Sequence, residues 1–158
     1  MEYRKYMQDR SGRVVVYTNG SCRRPGEPQA HAGVGVWFGA HHVLNMSGCV
    51  RGRQTCNSAQ IQAVTNALWT AKRNGIRRIN IYTNSELVIN AANMYISIWL
   101  DNGWINKRGN RVQNYLDWHY LLKAKKGMEI KWTFVGNNRG NKGRDAAMGL
   151  AREYADRA

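Results

Sequence analysis

The chain has 158 residues with 24 Lys and Arg against 10 Asp and Glu, a formal charge of +14, and 43% of it is hydrophobic, with six Trp and eight Tyr. That composition fills a core within one domain and excludes a solvated basic tail, so the surplus charge sits on a folded surface. No stretch nears the roughly 18 apolar residues of a membrane span, and Met1–Lys5 lacks the apolar run of a signal peptide, so an intracellular location, nuclear or cytoplasmic, is expected.

Residues 1–12 are polar without periodicity and end in Ser11-Gly12, which predicts a flexible lead into a single domain over 13–158. The β-branched run Val14-Val15-Val16-Tyr17 opens a first strand. Past the turn-rich Asn19-Gly20-Ser21 and Pro25-Gly26, the runs Gly33–Phe38 and Val43–Val50 predict two further strands about a turn at Gly39–His42, an antiparallel meander. From Ser58 the period becomes helical, with Ile61, Val64, Leu68 and Ala71 on one face and Gly75 as the stop. Arg78–Tyr82 predicts a strand and Ser85–Asn93 a helix, an order that requires a crossover and partly parallel pairing. Tyr95–Leu100 extends as a short helix, and Gly103–Arg111, with Lys107, Arg108 and Arg111 and no acid, predicts an exposed basic loop. Tyr115, Trp118, Leu121 and Leu122 space a helix over Asn114–Lys126, Glu129–Phe134 predicts a fifth strand, and Arg144–Ala158 a closing helix. Cys22, Cys49 and Cys56 form no Cys-x-x-Cys pair, which argues against a disulfide framework or zinc site and for a reducing compartment. His31, His41, His42 and His119 show no ligand spacing and are assigned no chemistry.

Several ordered strings sit at the joints of these elements: Val16-Tyr17-Thr18-Asn19-Gly20-Ser21, Gly33-Val34-Gly35-Val36, Gly52-Arg53-Gln54-Thr55, Ala59-Gln60-Ile61, Tyr82-Thr83-Asn84-Ser85, Asn102-Gly103-Trp104 and Leu150-Ala151-Arg152-Glu153. With the element order, they resemble the cellular type 1 ribonuclease H family over roughly residues 14–155. The resemblance implies an α/β, ribonuclease H-like fold: a mixed five-stranded sheet, antiparallel meander plus parallel strands, flanked by helices. It also implies cleavage of the RNA strand of RNA/DNA hybrids by two magnesium ions held between four carboxylates. Here every one of those positions is neutral, because the matching residues are Asn19, Gln60, Asn84 and Met148, and the family's mobile-loop histidine falls on Asn138. Two dications need hard anionic oxygen ligands, so the magnesium site, and with it the catalytic activity, is expected to be lost. Of the ten acids only Asp145, three residues before Met148, and Glu86, two past Asn84, lie near a motif position; residual metal-dependent cleavage through them is a remote reading. Asn and Gln are the isosteric replacements of an engineered inactive enzyme, whereas Met148 fits natural decay better.

The resemblance places a pocket for a DNA-strand phosphate on Arg53, Thr55 and Asn114, all retained; the alternative is a helix cap beside a surface arginine. It places a deoxyribose-lining aromatic pair on Tyr95 and Trp99, four apart on one helical face, with core packing as the alternative. The loop bearing Trp104, Lys107, Arg108 and Arg111 matches the family's basic protrusion in part, and the family's RNA minor-groove positions fall near Cys22, Arg24, Pro25, Cys56 and Asn57, where Arg23 and Arg24 add sequence-independent phosphate contacts. Pro25 and Cys56 replace asparagines there, which weakens RNA-strand recognition and favours phosphate contacts. The expected function is inactive, backbone-directed binding of RNA/DNA hybrid or duplex RNA. The rival is a protein-interaction scaffold, docking a partner or a second copy through exposed aromatics such as Trp69, Trp118 or Trp132.

Overall fold

The computed structural model describes residues 5–136 and 140–157. Five strands form one sheet in the order β3-β2-β1-β4-β5. The central β1 (Val14–Arg23) pairs antiparallel with β2 (His31–Trp37), which pairs antiparallel with β3 (Met46–Cys49). On its other side β1 runs parallel to β4 (Arg78–Thr83), and β4 parallel to β5 (Glu129–Phe134), with Val16 opposite Ile81 and Ile81 opposite Trp132. This is the mixed, helix-flanked sheet expected from the element order.

Two helices cover the sheet, and strand alternation decides how closely they approach. Helix α1 (Cys56–Arg73) is capped by Thr55, whose side-chain oxygen accepts from the Ser58 amide, and packs on β1 and β2. Helix α5 (Lys142–Ala155) lies across β2 and β1. Along β2, Gly33 and Gly35 face α5, where a Cβ would strike the carbonyls of Ala151 and Ala147, while the alternate Val34 is buried with Ala59 and Ala63 of α1. Helix α2 (Glu86–Asn90) passes through a π-helical turn, Ala91–Tyr95, into α3 (Ile96–Asn102). Helix α4 (Tyr115–Lys125) packs on α1. The main core joins Val16, Val36, Phe38, Ile61, Leu68, Ile81 and Trp118, all essentially inaccessible to solvent.

Several boundaries differ from the sequence expectation, among them that of α5, which runs from Lys142 to Ala155 rather than from Arg144 to Ala158. Strand β3 is only Met46–Cys49, because the preceding residues close a turn: Leu44 N–H donates to His42 Nδ1 at 3.0 Å and Phe38 N–H to Asn45 Oδ1 at 2.6 Å. Strand β2 begins at His31, where the ring meets the Ala155 carbonyl at 2.9 Å, and α1 begins at Cys56. Residues 6–12, read as a lead, run against the sheet: Val15 N–H donates to the Met7 carbonyl at 2.8 Å, Gln8 bridges Val14, and the Tyr6 ring stacks on His42 at 5.2 Å.

Candidate nucleic-acid interface

A glycine positions the first group of side chains. A Cβ on Gly20 would lie 2.6 Å from the Gln60 backbone nitrogen, so only glycine lets α1 settle this low on β1. Gln60 then reaches across to two strand ends: its Nε2 donates to Asn19 Oδ1 at 2.9 Å and to Asn84 Oδ1 at 3.0 Å. Asn19 is fully buried in the central strand, and its Oδ1 accepts a second bond from the Gly20 amide at 2.9 Å. Asn84 is half-buried between the end of β4 and Ser85, the cap of α2. Three of the four positions at which the resemblance places acids are thus one cluster of neutral carboxamides. Both N–H groups of Gln60 and the oxygens of its neighbours are spent inside that cluster, while Asn19 Nδ2 and Gln60 Oε1 are buried without a protein partner.

The remaining positions add no anion to this cluster. Met148 is half-buried on α5, and Asn138 lies outside the described residues. Asp145, in the first turn of α5, is engaged by Arg144 Nη1 at 2.9 Å and by the Gly140 amide at 3.2 Å. Glu86 is exposed at the start of α2.

At the N-terminal turn of α1, Thr55 and Ser58 meet the start of α4. Asn114 adopts a left-handed conformation, φ 62°, which asparagine tolerates, and its amide bridges α1 and the first turn of its own helix. Its Nδ2 donates to Ser58 Oγ at 3.0 Å and to Asp117 Oδ2 at 3.1 Å. Asp117 also accepts from Ser58 Oγ at 2.8 Å and, through Oδ1, from Gln62 Nε2 at 2.9 Å. Sequence reasoning missed Ser58, Gln62 and Asp117; the only local signal was Asp117 standing one helical turn after Asn114. The carboxylate is spent on orienting its neighbours. Of the expected trio, Thr55 caps α1 and Asn114 meets Ser58 from the start of α4, while Arg53 lies exposed in the stretch before α1.

The aromatic pair is part of a larger stack. Tyr95 and Trp99 are half-buried with ring centroids 5.7 Å apart, and Trp99 stacks onward to Trp104 at 5.9 Å and Trp118 at 5.8 Å. Trp104 does not share the exposure expected of its loop. It is buried, left-handed at φ 64°, and packs on Tyr115 at 5.3 Å, because its backbone is tied to α3 through Trp99 O and to the stretch before α4 through Val112 N. Lys107, Arg108 and Arg111 are exposed on a small hairpin closed by the Ile105–Arg111 bridge, with Arg111 4.4 Å over the Tyr115 ring. Trp118, expected as an exposed interface aromatic, is 1% accessible because it packs inward from Trp99 into the main core; Trp132 is half-buried, and Trp69 alone of the three is exposed.

The last group sits at the far end of β1. Arg23 pairs with Asp156 at 3.5 Å, Arg24 is exposed in a left-handed conformation, and Asn57 is exposed in the first turn of α1. Cys22 donates to the Gln54 carbonyl at 3.2 Å; burial, and then the neighbouring Cys56 thiol, push its pKa up, so it stays a neutral thiol.

Residues 11–156 match the family model described as RNase H. The chain is 37% identical over 142 residues to Ribonuclease H1 of Mus musculus, a match covering 90% of this chain and 50% of that protein. It therefore spans about half the length of the curated relatives first matched. Among solved structures, LC9-RNase H1, a type 1 RNase H with the type 2 active-site motif, superposes with a TM-score of 0.71 at 25% identity, covering 90% of this chain and 71% of that one. The foamy viral protease-reverse transcriptase in complex with RNA/DNA hybrid gives the same TM-score and identity over 89% of this chain and 20% of that one.

Proposed function

The chain belongs to the ribonuclease H family, and from that premise we propose that it binds RNA/DNA hybrid or duplex RNA through its backbone without cleaving it. One observation carries the reading: the neutral cluster of Asn19, Gln60 and Asn84 is built on α1 next to the turn where the Thr55 cap, Ser58 and Asn114 meet, with Arg53 exposed just ahead of it. Two magnesium ions bring four positive charges, and three neutral carboxamides with a methionine offer no anionic oxygen to offset them, so these residues do not fit the family's metal pair. The same neutrality removes a barrier to binding. A carboxylate cluster repels phosphate unless metals intervene, whereas a neutral amide cluster does not.

In this reading Arg53 and the N-terminal turn of α1 take one phosphate of the DNA strand, with the Asn114 amide and Ser58 hydroxyl held in place by Asp117. Tyr95 and Trp99 offer a flat apolar edge to the sugars, and the hairpin cations extend the contact along the backbone. The hybrid seen with the foamy viral enzyme supports the ligand class.

The test is a titration of labelled hybrid, duplex RNA and duplex DNA at about 150 mM salt, in EDTA and in Mg²⁺, reading binding and cleavage together. Metal-independent binding without product is expected. Arg53→Ala and Asn114→Ala should each weaken it about tenfold or more, the loss of a charge-assisted or buried hydrogen bond. Weak binding indifferent to duplex type and to both substitutions would replace this reading with the scaffold.

A further inference from the structure

Beside the phosphate pocket an open groove of about 670 Å³ runs between α1, α4 and the edge strand β3. Its α1 side carries Gln62, Asn66 and Trp69, and its α4 side Leu116 and Tyr120. Trp69, Leu116 and Tyr120 are 39%, 66% and 55% exposed, an unusual density of bare large side chains for a chain this basic.

The groove is continuous with the pocket. Asp117 and Gln62 belong to both, and Gln62 also clasps the Arg51 backbone, accepting from its N–H at 2.9 Å and donating to its carbonyl at 2.8 Å, which sets Arg51 at the groove wall. Its charge is one-sided. Arg51 and Arg73 line it, the Lys72 ammonium lies 4.5 Å from the Trp69 ring and the Lys123 ammonium 6.0 Å from the Tyr120 ring. The one acid among the lining residues, Asp117, is already bonded to Ser58, Asn114 and Gln62. Aromatic rings flanked by cations form the combination that holds unpaired nucleotides without regard to sequence.

We infer that this groove binds a single-stranded continuation of the DNA strand whose phosphate occupies the Arg53 pocket, with bases on Trp69 and Tyr120 and phosphates on Arg51 and Arg73. This rests on the function proposed above and extends it from duplexes to duplex ends and junctions. Length agrees. From Ser58 at the pocket to Arg73, α1 rises about 22 Å, room for a few nucleotides. An acidic peptide would meet the same cations, but it would have no reason to start at a phosphate pocket, and that continuity favours the strand.

The experiment compares blunt hybrid with hybrids carrying a DNA-strand tail of about six nucleotides at either end. Wild type, the Trp69→Ala/Tyr120→Ala double variant and Arg73→Ala are measured at about 150 mM salt. One tail polarity should tighten wild-type binding about fivefold or more over blunt hybrid. The double variant should bind blunt hybrid as wild type does and lose the gain; both side chains are exposed, and Arg73→Ala gives a second variant that leaves the aromatic pair in place. Tails that add nothing to a blunt affinity that is itself sound, or a gain that survives the double variant, overturn the groove assignment alone. Failure of blunt and tailed hybrids alike overturns both readings. Binding of an acidic, aromatic peptide that depends on Trp69, with no gain from any tail, overturns the assignment in favour of a protein partner.

Discussion

Gln60 has only two N–H bonds to give, and both go to residues of the same cluster, which ties the two strand ends to α1 without any charge. The identities of Asn19, Gln60, Asn84 and Met148 were legible from motif spacing; their mutual bonding was not, since the partners lie 41 and 24 positions apart. Restoring acids tests the proposal directly. The combined variant Asn19→Asp, Gln60→Glu, Asn84→Asp and Met148→Asp places four anions together, so it should melt lower than wild type in EDTA, regain stability with Mg²⁺ and cut hybrid. Wild type should show no Mg²⁺-dependent rise in melting temperature; a rise there, or cleavage by wild type lost on Asp145→Asn, would sink the claim of an inactive site. Asp117 teaches the complementary lesson. Its charge looked unremarkable in the chain, yet it is the acceptor that orients Ser58, Gln62 and Asn114.

Among the elements, the hairpin after α3 separates two roles that the sequence had merged. Lys107, Arg108 and Arg111 face solvent, whereas Trp104 joins the stack of Trp99 and Tyr115 beneath them. Trp104→Ala should therefore cost about 3 kcal/mol or more of stability, as large aromatic truncations in cores do, read by chemical denaturation. Charge removal at the three cations should leave the melting temperature unchanged. Composition marked the segment as basic and exposed, but which single residue turns inward depends on the neighbouring helices.

The segment before β1 carries a pH-dependent contact. Asp9 Oδ1 accepts from the Ser11 and Arg13 amides at 2.9 Å each, and Oδ2 accepts from Asn80 at 3.0 Å. Burial pushes its pKa up, but the bonds from Arg13, Asn80 and Ser11 outweigh it, and the folded value lies below the ordinary one. A depressed carboxylate stabilises the fold above its unfolded pKa of about 3.9, and that contribution is lost as pH falls through the folded value. Wild type should thus melt above Asp9→Asn near neutral pH, with the gap closing under acid; a gap independent of pH would refute the contact.

For the molecule as a whole, a charge of +14 on a compact domain makes affinity a matter of counterion release. The logarithm of hybrid affinity should fall steeply and linearly with that of salt, and removing Lys107, Arg108 and Arg111 together should flatten the slope by up to about 2.7 if each meets one phosphate. An unchanged slope would take the hairpin out of the interface. The steepness follows from composition; the placing of the charge follows from packing.

What the sequence by itself determined is local or compositional: the order of strands and helices, the family, the surplus charge and the neutral residues at the four acid positions. These survive any description of the chain because periodicity and residue identity are properties of short windows. Only the tertiary structure decided that Gln60 bonds Asn19 and Asn84, that Trp104 is interior and that a cation-lined groove opens beside Asp117. Each depends on how closely a helix meets the sheet or another helix, and at Gly20 that distance is set by an absent Cβ, whose effect appears only when β1 and α1 are brought together.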